Sequence, residues 1–216
     1  MSGWKDFNMR RTGKLDKVEA VLFDMDGVLV ESSKAWFRTL NFILKQQGRP
    51  KVSWNVFVKH LGQNIERDVE VFFKGLKPEE VRLLYERHFP MFLDLVEPIP
   101  YAKEVLVTIR KSRIKTGCVT NTPKSLSIKI LDKVGLLNYL QVVVGGDEVR
   151  HQKPEPEPIF KALSALKVRS NRTCFVGDTV YDIKAAERAG CIPIGFGVEY
   201  PIRIRSLKEL IPLLGL

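Results

Sequence analysis

Two hydrophobic periods alternate along most of this chain, and one long stretch breaks the alternation. Val18 to Phe23 is a short run of apolar, β-branched and aromatic residues interrupted only by Glu19, the pattern of a strand buried on both faces. From Ala102 onward, segments with helical spacing alternate with short apolar runs. Helices are predicted over Ala102–Ser112, Pro123–Val134, Pro156–Leu166, Val180–Ala189 and Ser206–Leu214. Strands are predicted over Ile114–Thr120, Leu140–Val144, Thr173–Gly177 and Ile192–Ile194. Gly135 and Gly190 stop two of the helices. Strands alternating with helices of this length predict a doubly wound, mostly parallel, Rossmann-like α/β sheet.

Residues 31–98 depart from that alternation. Glu31-Ser32-Ser33 reads as a helix start ahead of Trp36, Phe37, Leu40, Ile43 and Leu44 at helical spacing. Ser53 opens a short second helix reaching His60 and Leu61, Asn64–Phe73 a third, and Pro78 a fourth running to about Leu95 that Pro90 should kink or split. No strand is predicted between 31 and 98. The expected organisation is therefore a core of 1–30 and 99–216 with an inserted α-helical cap domain at 31–98.

Composition narrows the partners. With 44% apolar residues in 216 the chain can build a core, and no apolar run is long enough to span a bilayer. Met1 to Lys17 is polar and basic without an apolar stretch, which reads as a short tail or an extra turn rather than a secretory signal. Cys118, Cys174 and Cys191 lie in or beside predicted strands with no metal-binding spacing, as small core residues of a reducing, cytoplasmic compartment would. The net charge of +10 raises the question of nucleic acid, but the Lys and Arg are scattered and form no basic block. A positive field that attracts small anions is the simpler reading.

The chemistry collects where the predicted strands end. The first run stops at Asp24-Met25-Asp26-Gly27, and two carboxylates beside a core must be paired, hydrogen-bonded or bound to a cation. A second strand ends at Thr120-Asn121 and a third at Gly177-Asp178-Thr179, with Asp182 in the next helical turn. In a parallel sheet these ends share one edge and can converge on one pocket. Acids clustered with no Cys or His favour a hard cation, for which Mg²⁺ is the usual choice. Thr120 and Asn121 offer a hydroxyl and backbone N–H groups suited to phosphate oxygens, and Lys153 stands in the stiff Lys-Pro-Glu-Pro-Glu-Pro segment.

With these motifs in view, the chain from Val18 onward resembles the haloacid dehalogenase superfamily of aspartate-nucleophile phosphohydrolases, nearest its phosphoglycolate phosphatase and β-phosphoglucomutase-like branch. Asp24-Met25-Asp26-Gly27-Val28 is similar to the first family motif, Thr120-Asn121 to the second, Lys153-Pro154 to the third and Gly177 to Asp182 to the fourth. The resemblance implies Asp24 as nucleophile and Asp26 as acid and base. It implies Mg²⁺ held by Asp24, the Asp26 carbonyl and Asp178 with help from Asp182, and a phosphoryl group bound by Thr120, Asn121 and Lys153. The implied activity is Mg²⁺-dependent hydrolysis of a small phosphomonoester, phosphoglycolate-like or a sugar phosphate, by a monomer or homodimer. The expected partner is a small phosphorylated metabolite, with no membrane or nucleic acid.

The alternatives are a sugar-phosphate mutase or pyrophosphatase of the same fold, or a catalytically retired binding protein. Asp26 argues against carbon–halogen cleavage, since the dehalogenases of the superfamily carry an aromatic residue there. Trp36 stands where the mutases have a histidine, which argues for hydrolysis. Phosphonate cleavage would need a cap lysine, for which Lys34, Lys45, Lys51 and Lys59 are the candidates. Trp36 and Phe37 are expected to be cap core rather than substrate contacts, and His60, His88 and His151 are too dispersed for a metal site.

Overall fold

The computed structural model describes Leu15 and residues 17–216; the N-terminal reading of a tail or extra turn otherwise lies outside the described residues. The first strand, β1 (Ala20–Phe23), is wholly buried. Its residues alternate between two cores: Ala20 and Leu22 join one hydrophobic cluster, Val21 and Phe23 the other. A strand two-sided in this way must be central. Fully burying Leu22 and Phe23 stabilises the fold by about 1.5–3 kcal/mol each.

The sheet has the order β5-β4-β1-β6-β7-β8, where β4 is Lys115–Val119, β5 Val142–Val144, β6 Thr173–Gly177, β7 Ile192–Phe196 and β8 Arg203–Ile204. Every neighbouring pair is parallel. Helices cover both faces. The helices Glu157–Leu166 and Val180–Ala189 pack Ile159, Ala162, Ala185 and Ala186 against the Ala20–Leu22 side. The helices Ala102–Lys111 and Lys124–Lys133 pack Val105, Ile109, Leu126 and Ile130 against the other. Register aligns the strand ends that matter: Phe23 pairs with Cys118 on β4 and Val176 on β6. The next residues of all three strands therefore leave the sheet at one edge.

Between β1 and β4 the chain forms α1 (Ser33–Gln46), α2 (Trp54–Phe57), α3 (Ile65–Phe72) and α4 (Pro78–His88), then a 3₁₀ segment Phe89–Leu95. The fourth helix does split at Pro90, because proline supplies no N–H to continue the α-helical ladder. The expectation of no strand between 31 and 98 needs correction. Val30–Glu31 (β2) pairs antiparallel with Glu97–Pro98 (β3), a two-residue ribbon where the helical segment leaves and rejoins the sheet. Strands this short carry no periodicity and exist only through their partner. Strand β8 was likewise not anticipated, and the last helix begins as a 3₁₀ turn at Leu207–Glu209 before Leu210–Leu213. The three cysteines are free and buried, as expected.

Candidate active site

Asp24 follows β1 directly, and its N–H donates to the carbonyl of Val176 at 2.9 Å, so the strand's ladder holds its backbone. The chain then folds over itself: the N–H groups of Leu29 and Val30 both donate to the Met25 carbonyl. Gly27 makes that turn with φ +84, and a Cβ there would fall 2.1 Å from Asp178 Oδ2. The close approach of the first and third strand ends thus requires glycine.

Asp24 and Lys153 are both almost completely buried. Lys153 Nζ donates to Asp24 Oδ1 at 2.7 Å, to Asp182 Oδ1 at 2.6 Å and to the Val119 carbonyl at 3.0 Å. Its three protons are therefore used. Burial works against the Lys153 charge, but the carboxylates of Asp182 and Asp24 outweigh it and hold the ammonium above its usual range. Burial, reinforced by the charge of Asp182, pushes the Asp24 carboxyl well above the ordinary carboxylate range despite Lys153. The same causes push Asp178 up to about 7. One ammonium faces several acids, and ionising all of them would leave negative charge that Lys153 alone does not offset.

Asp24, Asp178 and Asp182 each place a carboxylate oxygen within 4.8 Å of the others. Asp178 Oδ1 is buried and has no hydrogen-bond partner among the described residues. An unpartnered buried oxygen beside other carboxylates fits a hard, oxygen-seeking cation. Asp182 is the most occupied of the three. Its Oδ1 carries Lys153, and its Oδ2 accepts from the Thr179 N–H at 3.0 Å and hydroxyl at 2.6 Å. That capping arrangement starts the helix Val180–Ala189 and fixes Asp182 as the residue that orients Lys153.

Asp26 has a different environment. Its Oδ1 accepts from the Ser32 hydroxyl and from Trp36 Nε1 at 2.9 Å, and its Oδ2 from the Thr122 hydroxyl at 2.9 Å. Ser32 occupies the N-cap position of α1, but its side chain makes no cap bond; it serves Asp26 instead. Trp36 was expected to be core, yet it joins packing and site: its ring sits 4.3 Å from Phe89 while its indole N–H reaches Asp26. Thr122 adjoins Thr120-Asn121, and the residue pattern alone held no signal for it.

The remaining predicted residues also gather here. Thr120 is buried at the end of β4, and its hydroxyl accepts from the Thr122 N–H at 3.1 Å. The Asn121 side chain turns away from Asp24: its Oδ1 accepts from the Lys153 N–H at 3.0 Å, and its Nδ2 donates to the carbonyls of Lys153 and Gly62. Asn121 therefore clamps the Lys153 loop, leaving its backbone as the part available to an anion. Asp24, Asp26, Thr120, Asn121 and Lys153 all line one cleft of about 120 Å³, closed on its other side by residues of α1–α4 and the loops between them.

A model of the haloacid dehalogenase-like hydrolases matches residues 21–196, which span every motif just described. The chain belongs to that family. Two curated relatives place this haloacid dehalogenase-like hydrolase in the phosphoglycolate phosphatase-like branch, among the phosphohydrolases. A phosphoglycolate phosphatase of Yersinia pseudotuberculosis is 28% identical over 222 residues, covering 94% of this chain and 96% of its own. One of Aquifex aeolicus is 31% identical over 179 residues, covering 80% and 82%. Among solved structures, a HAD-superfamily hydrolase of subfamily IA, variant 1, from Geobacter sulfurreducens superposes with TM-score 0.71 at 29% identity over 92% of this chain and 97% of the other.

The haloacid dehalogenase-like core meets the helical segment at Gly62. This residue has φ +75, accepts from Asn121 at its carbonyl, and would bring a Cβ to 2.7 Å from Thr179 Cγ2. Gly62→Ala is expected to push the loop off Thr179 and to cost about 1–2 kcal/mol, read as a lower melting temperature. Unchanged melting would mean that this contact does not form in solution.

Proposed function

We propose that the chain is a Mg²⁺-dependent phosphatase that hydrolyses a small phosphomonoester through a phospho-aspartate. The observation that carries this reading is the contrast between two aspartates of one turn. Asp24 is buried against Lys153, whereas Asp26 lines the cleft held by three neutral donors. Two carboxylates in such different surroundings suit two roles.

In the first step an Asp24 carboxylate oxygen attacks phosphorus and the bond from phosphorus to the ester oxygen breaks. Asp26 passes a proton to that oxygen, so the alcohol leaves neutral. In the second step Asp26 takes a proton from water, the water oxygen attacks phosphorus, and Asp24 is released with inorganic phosphate. Lys153 holds Asp24 in place and contributes positive charge, while Thr120 and the backbone at Asn121 offer donors to the phosphoryl oxygens. Ser32, Trp36 and Thr122 orient Asp26. Asp24, Asp178 and the Asp26 carbonyl would hold Mg²⁺ with Asp182 behind them, and the ion when bound supplies charge that offsets the carboxylates and the phosphate. Residues 31–98 would act as a cap that excludes water from the cleft.

The names of the curated relatives make phosphoglycolate the first substrate to try, with sugar phosphates beside it. Trp36 supports hydrolysis over mutase chemistry, because its indole N–H donates to Asp26 and offers no base. Lys34, Lys45, Lys51 and Lys59 are all exposed and none lines the cleft, which weighs against a Schiff-base lysine. A cytoplasmic location accords with the free cysteines, and among the described residues no helix is long and apolar enough to cross a membrane. The test is release of inorganic phosphate from a panel of small phosphate esters with and without Mg²⁺. Mg²⁺-dependent turnover of several esters is expected; no release from any of them would end the phosphatase reading.

A further inference from the structure

One wall of the cleft is built by the helical segment, and apart from Trp36 and Gly62 its polar groups have no part in the chemistry above. Asp68, on α3, lines the cleft with Gln63, His60 and Tyr85. Its Oδ2 accepts from the Tyr85 hydroxyl at 2.8 Å and its Oδ1 from Gln63 Nε2. A carboxylate has about four acceptor positions, so each Asp68 oxygen keeps one. Gln63 Oε1 lies 3.0 Å from His60 Nδ1. The amide oxygen can only accept, which puts the imidazole proton on Nδ1 and leaves Nε2 an acceptor in the neutral ring. Trp36, Phe57 and Phe72 supply apolar surface around these groups.

Among the described residues, the same wall carries no Lys or Arg. Among the described residues that line the cleft, the one Lys or Arg is Lys153, and it is held by Asp24, Asp182 and Val119. A leaving group that ends in a carboxylate would set like charge against Asp68, with no unengaged Lys or Arg among the described lining residues to offset it. A leaving group that carries O–H or N–H would meet open acceptors.

Resting on the phosphatase reading, we propose that this wall selects phosphate esters of donor-bearing alcohols, polyols or amino alcohols, over phosphorylated carboxylic acids, with Asp68 as the specificity-determining residue. Burial raises the Asp68 carboxyl to about 6, so it is ionised in mildly alkaline solution. The assignment separates this chain from the substrate named for its curated relatives, which is a phosphorylated carboxylic acid.

Three esters of one size make the test: 2-phosphoglycolate, 2-hydroxyethyl phosphate and 2-aminoethyl phosphate, with p-nitrophenyl phosphate as reference, at pH 8 with excess Mg²⁺. The hydroxyl or amino ester, or both, should exceed 2-phosphoglycolate in kcat/KM by at least about tenfold, the scale of an unrelieved like-charge contact. Which of the two leads distinguishes polyol from amino alcohol. Asp68→Asn keeps the shape, removes the charge and adds a donor, and should shrink that ratio about tenfold. A carboxylate that merely ties α3 to α4 through Tyr85 would leave the ratio unmoved. An unchanged ratio in a folded Asp68→Asn, or a wild type that prefers or equally accepts 2-phosphoglycolate, overturns the proposal. If the variant does not fold, the wild-type ratio decides alone. A wild type inactive on all four esters, p-nitrophenyl phosphate included, would instead remove the phosphatase reading and this proposal with it.

Discussion

Asp24→Asn is expected to abolish turnover of every ester while leaving the fold intact, and Asp26→Asn to cripple some esters far more than others. The amide at position 24 is nearly isosteric and keeps an oxygen for Lys153, which also retains Asp182. It cannot attack phosphorus, so no acid-stable, alkali-labile phospho-enzyme should be trapped. Asp26→Asn keeps the nucleophile and deletes the proton donor. General acid catalysis is typically worth ~10²–10⁴-fold, and an activated aryl ester needs it least. Activity should therefore fall much further on an alkyl phosphate than on p-nitrophenyl phosphate. Equal losses on both would count against leaving-group protonation by Asp26. A phospho-enzyme surviving in Asp24→Asn would remove the nucleophile assignment.

The second large effect concerns Asp178. This carboxylate is buried with an oxygen that has no partner among the described residues, close to Asp182 and Asp24, and its pKa is pushed up to about 7 by burial and then by the Asp182 charge. The sign follows from linkage. A carboxyl whose folded pKa is raised binds its proton more tightly in the folded state, so between about 4 and 7 rising pH costs the folded state stability. Asp178→Asn removes that cost. Metal-free Asp178→Asn should be more stable than metal-free wild type at pH 8, on the order of 1–2 kcal/mol. Mg²⁺ should raise the melting temperature of wild type and leave the variant unmoved, since the site has lost a charged ligand. Turnover should vanish in EDTA for wild type and be severely reduced in the variant even with Mg²⁺. Full activity in chelator, or a Mg²⁺-induced rise in melting temperature that is the same in wild type and variant, would show that Asp178 does not hold a cation.

Both predictions depend on residues that short-range pattern made visible. Asp24 and Asp26 announce themselves because an apolar strand stops at a D-x-D-G turn, and Asp178 and Asp182 because another strand ends on acids before a helix. The alternation of strands and helices fixes on which sheet edge such residues emerge, since parallel strands joined by helices all end the same way. Lys153 needed more: its rigid proline-flanked setting marks it as a displayed cation, yet its triple contact with Asp24, Asp182 and Val119 is the opposite of display.

The sequence by itself determined the central strand, the parallel α/β core, the helical interruption and the four motifs of the site, because each is written in neighbouring residues or in a regular period. Only the tertiary structure decided what depends on partners far along the chain. The ribbon Val30–Glu31 with Glu97–Pro98 joins segments more than sixty residues apart, and two residues have no period to detect. The grip on Asp26 comes from Ser32 and Trp36 nearby and from Thr122, 96 residues away; the helical spacing of Trp36 speaks for packing and says nothing about where its N–H points. Asp68 is one acid on an amphipathic helix, ordinary until Gln63 and Tyr85 converge on it and the cleft opens beside it. Period and composition specify which face of an element is buried, whereas hydrogen bonds across elements depend on register and on the side chain's direction, and those are settled only when the whole chain packs.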